Sequence, residues 1–337
     1  MMAIILNRPH EINALTIEMV RLIRQALDEA RTEDRFQFVL LLGAGDRGFC
    51  SGGDVKILAE AVKEGAFPRA EQFFQEEYAL DLYLHRFPKP VIVIAEGITM
   101  GGGLGLAAGA DLVVVTEWTV MAMPETRIGF FPDVGSTGWL FTKCPAGYPE
   151  YLGLTGHEVG GVECVRLGLA NCFAERGRIK ELKEVLINYP ERLSSEKIPG
   201  VAQLRASISS FIEKVSPSDP EMDAWVARYF SAKDSIQEMM ASLSQCRDKN
   251  RLCRDAYHRM TEHSPTALVL TLKLLRQNEG RPLEEVFAAE AKAARFMIRH
   301  PDYVEGIRAH ILDKDRSPRW QPSTITEVLA LVLCPEA

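Results

Sequence analysis

The chain has 337 residues, of which 47% are hydrophobic and 25% charged, and its formal net charge at pH 7 is -7. That composition supports a large buried core, in one large domain or two modest ones. The acidic balance speaks against a general polyanion binder, although a local basic patch is still able to hold a phosphate.

Residues 3–7 (AIILN) read as a strand, and residues 16–30 carry the apolar spacing of an amphipathic helix. A second strand is expected within 37–45, then helical patterns over 54–63 and 69–85. A third strand, PVIVIAEG (90–97), precedes a glycine-led helix that runs toward another strand over 101–115. Alternation of this kind predicts an α/β layer. After about residue 190 the strand signals stop. Helical periodicity then recurs over 203–215, 219–230, 233–245, 250–260, 264–277 and 283–299, with breaks at SPSDP (216–220), NEGRP (278–282) and RHPD (299–302). The expected division is an α/β core with the active site over 1–195 and a helical region over 196–337.

The apolar run in MMAIILNRPH is too short for a secretory signal, and Glu96 and Asp111 interrupt the most apolar region, 91–115. Seven scattered cysteines without a CxxC pair fit a reducing compartment better than a disulfide scaffold. The expectation is a cytoplasmic protein with no membrane and no nucleic-acid partner. No HExxH or paired-cysteine pattern suggests a metal.

Two glycine clusters, GFCSGGDVK (48–56) and GITMGGGLGL (97–106), each lie where a strand gives way to a helix. Unpaired N–H groups there, with no side chain in the way, suit a developing negative charge. Neither cluster matches a dinucleotide fingerprint or a phosphate loop. Two acids, Glu125 and Asp133, stand eight positions apart in AMPETRIGFFPDVG (122–135), among apolar residues, proline and glycine.

Together, GAGDRGFCSGGD, EGITMGGGLGLAAGADLVVV and MPETRIGFFPDVG resemble the enoyl-CoA hydratase/isomerase, or crotonase, superfamily, and most closely its 3-hydroxyisobutyryl-CoA hydrolase branch. FFQEEYAL (73–80) and YVEGIRAHILDKDRSPRWQP (303–322) agree, and the likeness runs from NRPHEINAL (7–15) onward. It implies a crotonase-like spiral of β–β–α units followed by a C-terminal helical region. By the same resemblance, the backbone N–H groups of Gly53 and Gly102 form an oxyanion hole for a thioester carbonyl. Glu125 acts as nucleophile or general base, and Asp133 binds a 3-hydroxyl group and helps proton transfer. Glu77 is a further acidic residue of the substrate pocket. Residues Ser51, Gly52, Gly53, Asp54 and Lys56 lie along the coenzyme A portion. Two acids in one partly desolvated pocket raise one pKa, so one accepts a proton while the other holds one.

The implied activity is hydrolysis of a short 3-hydroxyacyl-CoA, best matched by 3-hydroxyisobutyryl-CoA of valine breakdown, with no cofactor beyond the coenzyme A of the substrate. Hydratases of the superfamily carry a second glutamate three residues after the oxyanion glycine; here that position is Gly105. Addition of water by two carboxylates is therefore disfavoured. A hydratase or isomerase of another acyl-CoA, and a catalytically silent CoA-binding or interaction protein, are the alternatives. Ser136, Thr137 and Trp139, where relatives usually show GGxxxL, and Arg127, where a small residue is common, bear on the acyl group. Cys50 reads as a packed small residue and Trp320 as an anchor for the C-terminal segment. A homo-oligomer is compatible with the resemblance.

Overall fold

A computed structural model describes residues 1–189, 198–216 and 218–333. The chain forms two compact units, each assembled from three stretches: Met1–Gly53, Glu76–Ala122 and Glu158–Ser218 in the first, Asp54–Gln75, Met123–His157 and Asp219–Ala337 in the second. The division expected between residues 195 and 196 lies outside the described residues.

Among its described residues the first unit holds nine strands: β1 (Met2–Leu6), β2 (Val39–Gly43), β3 (Gly48–Cys50), β4 (Val91–Ala95), β5 (Ile98–Met100), β6 (Leu112–Val115), β7 (Val120–Ala122), β8 (Val159–Gly160) and β9 (Cys172–Phe173). They make a five-stranded parallel sheet, β1-β2-β4-β6-β9, and a four-stranded sheet, β3-β5-β7-β8, antiparallel only at β7–β8. Successive strands alternate between the sheets: β2 then β3, β4 then β5, β6 then β7. Each pair is one turn of the expected β–β–α spiral. The larger sheet is apolar because a parallel sheet covered on both faces has no polar side to show. On one face, Phe38, Leu40, Ile92, Ile94, Leu112 and Val114 pack with Leu182 and Leu186 of the helix Ile179–Ile187 and Leu204 of the helix Val201–Ser207. In the helix Ile17–Thr32, Thr16 caps the amide of Met19 at 3.2 Å, and Val20, Ile23, Leu27 and Ala30 form the buried stripe.

The second unit is helical. The helices Ile236–Cys246, Arg251–Glu262, Pro265–Asn278 and Leu283–Met297 follow the predicted periodicities, and Ser235, Asn250 and Ser264 supply three of the N-caps. One sequence expectation is corrected here. Cys246 and Cys253 form a disulfide with a Cα–Cα distance of 5.9 Å. Their spacing matches no recognised motif; the turn between two helices brings them together. Trp320 Nε1 donates to the carbonyl of Glu262 at 2.9 Å, a contact within the helical unit. Among the described residues, no helix is long and apolar enough to cross a membrane.

Candidate active site

In the first unit, Asn13 organises the first glycine loop. Its buried Nδ2 donates to the carbonyls of Ala44, Gly48 and Phe49 at 3.0, 3.0 and 3.1 Å. The amide of Ser51 donates to Ile12 at 2.9 Å, that of Leu15 donates to Gly52 at 2.8 Å, and the Ser51 hydroxyl donates to Glu11 at 3.1 Å. Gly52, at φ 99°, lies against the second loop: a Cβ on it would stand 3.1 Å from the Met100 oxygen and 3.3 Å from the Gly102 nitrogen. The two glycine loops are thus neighbours, and Gly102 opens the helix Gly102–Ala108.

Glu77 belongs to the same neighbourhood. A Cβ on Gly102 would run into Glu77 Oε1. Of the paired acids on the helix Phe67–Leu84, Glu76 turns outward to Arg21 at 2.6 Å while Glu77 is buried. Cys50 is fully buried, its thiol donating to Asn13 at 3.3 Å, and burial pushes its pKa up to about 12. A protonated, enclosed thiol of this kind is no nucleophile.

Glu125 and Asp133 lie in the second unit, both buried, Glu125 at 7% exposure and Asp133 at 5%. Glu125 starts a short 3-10 turn, Glu125–Ile128, closed by Gly129 at φ 72°. The helix Pro301–Ile307 meets this turn backbone to backbone: a Cβ on Gly306 would run into Ile128, and one on Gly129 into the Asp302 carbonyl. Phe130 stacks on Phe131 with centroids 4.6 Å apart and on Phe74 at 5.1 Å. Behind the turn, Thr126 Oγ1 is 2.9 Å from His263 Nδ1, whose pKa burial lowers to about 3, so this ring is neutral.

Burial first, then the charges of Asp133 and Glu290, hold the Glu125 carboxyl well above the ordinary carboxylate range. Its Oε2 is buried with no hydrogen-bond partner among the described residues. A buried carboxylate oxygen is normally bonded, and an unpaired one of this kind is typical of a catalytic group. Glu290 was not singled out in the sequence. It is fully buried on the helix Leu283–Met297, and burial, followed by Asp133, pushes its pKa up to about 8. With Glu125 and Glu290 both raised by burial and by the charge of Asp133, this cluster holds a proton more readily than isolated acids do.

Asp54 caps the helix Val55–Lys63 through the amide of Ile57 at 3.4 Å, and Lys56 is exposed on its first turn. Ser136, Thr137 and Trp139 are buried: Thr137 bonds to Glu290, and Trp139 Nε1 donates to the Val134 carbonyl at 2.9 Å. Arg127 is exposed. Among the described residues no group of His, Cys, Asp and Glu is placed to hold a metal ion.

Interleaved β–β–α turns, paired glycine loops and a buried carboxyl pair match a known class. The enoyl-CoA hydratase/isomerase family profile matches residues 1–333, and the chain belongs to that family. More particularly, it is similar to the mitochondrial 3-hydroxyisobutyryl-CoA hydrolases of Danio rerio, at 36% identity over 96% of this chain and 84% of the relative, and of Homo sapiens, at 34% over 96% and 83%. Among solved structures it is similar to a carnitinyl-CoA dehydratase from Mycobacterium thermoresistibile, with a TM-score of 0.85 and 32% identity over 97% of this chain and 90% of that one. An enoyl-CoA hydratase from Rhodobacter sphaeroides gives a TM-score of 0.84 and 30% identity, over 97% and 91%. The hydrolase relatives are described as mitochondrial, so the cytoplasmic expectation gains no support from them.

Proposed function

We propose that this protein hydrolyses a short 3-hydroxyacyl-CoA thioester, with 3-hydroxyisobutyryl-CoA as the first substrate to test, to the free acid and coenzyme A. The observation that carries this reading is the buried pair Glu125 and Asp133, with Glu125 Oε2 unbonded. The 34–36% identity to named hydrolases across nearly the whole chain supports it.

In this reading the amides of Gly53 and Gly102 take the thioester oxygen as it gains negative charge. Donors of this kind are each typically worth about 3 kcal/mol in the transition state. Glu125, its pKa raised, removes a proton from the attacking water, or attacks the carbonyl carbon itself and is released by water afterwards. Either way the C–S bond breaks, the thiolate leaves with coenzyme A, and one oxygen of water ends in the acid. Asp133 binds the 3-hydroxyl, Glu77 lines the acyl pocket, and residues 51–56 with Lys56 meet the coenzyme A portion. Coenzyme A enters as part of the substrate.

A second reading, hydration of an enoyl-CoA, is favoured by the names of the two similar solved structures. Against it stands Gly105, buried in the helix Gly102–Ala108, where a two-carboxylate hydration needs an acid. Thiol release and double-bond absorbance, followed in parallel on 3-hydroxyisobutyryl-, 3-hydroxypropionyl- and crotonyl-CoA, separate the two. Hydrolysis predicts rapid thiol release from a 3-hydroxyacyl substrate. A change in absorbance without thiol release rejects it.

A further inference from the structure

The chain reverses immediately after Asp133, and the reversal is strained. Val134 has φ 53° and Gly135 φ 78°, two left-handed residues in succession. A β-branched residue in that region is an outlier that persists only where its surroundings leave no alternative. Those surroundings come from the helix Leu283–Met297, more than 140 residues further along the chain.

Glu290 Oε2 accepts the amide of Gly135 at 2.6 Å, while Oε1 accepts the amide of Thr137 at 3.1 Å and its hydroxyl at 2.5 Å. Asn278 Nδ2 completes the set by donating to Thr137 Oγ1 at 2.9 Å. The same helix face presses on the turn through two neighbours. A Cβ on Gly135 would lie 2.7 Å from Phe287 Cζ, and one on Gly138 would lie 2.6 Å from Val286 Cγ2. Three donors converging on one buried carboxyl group fix position and direction far more tightly than packing alone.

We propose that Glu290 is the positioning residue for Asp133: by holding the Val134–Gly135 reversal it sets how the Asp133 carboxylate is presented to the substrate. Glu290 does not itself touch substrate in this account. The inference rests on the reading in which Asp133 binds the 3-hydroxyl, and it extends specificity to a residue on a distant helix.

The test compares kcat/KM for 3-hydroxyisobutyryl-CoA with that for isobutyryl-CoA, which lacks the hydroxyl, in the wild type, Glu290→Gln, Asp133→Asn and the double variant. Glu290→Gln sets an NH₂ group against donors that need an acceptor, and a buried hydrogen bond lost in this way typically costs about tenfold in an equilibrium. Glu290→Gln is therefore expected to lower the preference for the hydroxylated substrate by about tenfold, and to add nothing in the Asp133→Asn background. A general structural role lowers both substrates alike, leaving the preference intact, and that result overturns the proposal. Should Glu290→Gln not fold, Thr137→Val removes the hydroxyl with its bonds to Glu290 and Asn278 but keeps both backbone amides on Glu290, and the preference must shift the same way by a smaller factor; an unchanged preference again overturns it. A wild type that releases no thiol from either substrate instead refutes the hydrolase reading itself.

Discussion

Keeping a glutamate buried with an unbonded oxygen, beside two other acids, costs folding free energy. Glu125 is in that position, and the same desolvation that makes it costly makes it a stronger base than an exposed carboxylate. Gly102 shows a comparable constraint. A Cβ there would meet Glu77 Oε1, the mobile end of a side chain, with Leu15 Cδ1 at 3.3 Å. Gly102→Ala is therefore expected to fold with little change in Tm, because the Glu77 carboxylate gives way. Thiol release should fall by about 100-fold as the amide and Glu77 are both displaced. Equal losses of Tm and activity would show that Gly102 is there for packing.

At the scale of elements, the helix Pro301–Ile307 braces the Glu125 turn through a glycine–backbone contact that no side chain can replace. Gly306→Ala places a methyl against the Ile128 backbone, and overpacking of this kind costs about 1–3 kcal/mol. Thermal unfolding should register that loss, and activity should fall with it because the Glu125 turn moves; an unchanged Tm would contradict the contact. The sequence displayed much of this architecture. Apolar runs at 90–97 and 101–115 marked β4 and β6, and the 3.6-residue spacing after residue 230 marked the helices from Ile236–Cys246 to Leu283–Met297, since both signals are local; the helix expected over 203–215 instead stops at Ser207. Glu125 and Asp133 were legible because they interrupt an apolar segment. Glu290 was not: it sits 155 positions from Gly135, on a helix whose other acids, Glu284 and Glu285, belong to the first turn and read as ordinary helix-start charges. Asn13 and the Cys246–Cys253 pairing were hidden for the same reason, as their roles exist only through partners brought near by the fold.

For the molecule as a whole, the buried carboxyls and the buried histidine pull stability in opposite directions with pH. Glu290, raised from 4.5 to about 8, binds more protons folded than unfolded across that interval, so stability is lost as pH rises through it. His263, lowered from 6.5 to about 3, does the reverse, and its effect is complete above pH 6.5. Between pH 6.5 and 8 the buried carboxyls dominate, Glu125 acting in the same sense as Glu290, against the half-buried Met1 amino group, whose pKa burial lowers. Stability should therefore fall by an amount on the order of 1–2 kcal/mol over that range, seen as a declining Tm, and Glu290→Gln should flatten the decline. A Tm that rises over the same range would contradict the buried-carboxyl account.

The central claim is that Glu125 drives hydrolysis of a 3-hydroxyacyl thioester, and its most direct test is the rate of thiol release from 3-hydroxyisobutyryl-CoA by the wild type and by Glu125→Gln. The account predicts turnover in the wild type and a loss of about 100- to 10,000-fold in the variant, with the fold intact by thermal unfolding. A variant that releases coenzyme A as fast as the wild type would contradict it.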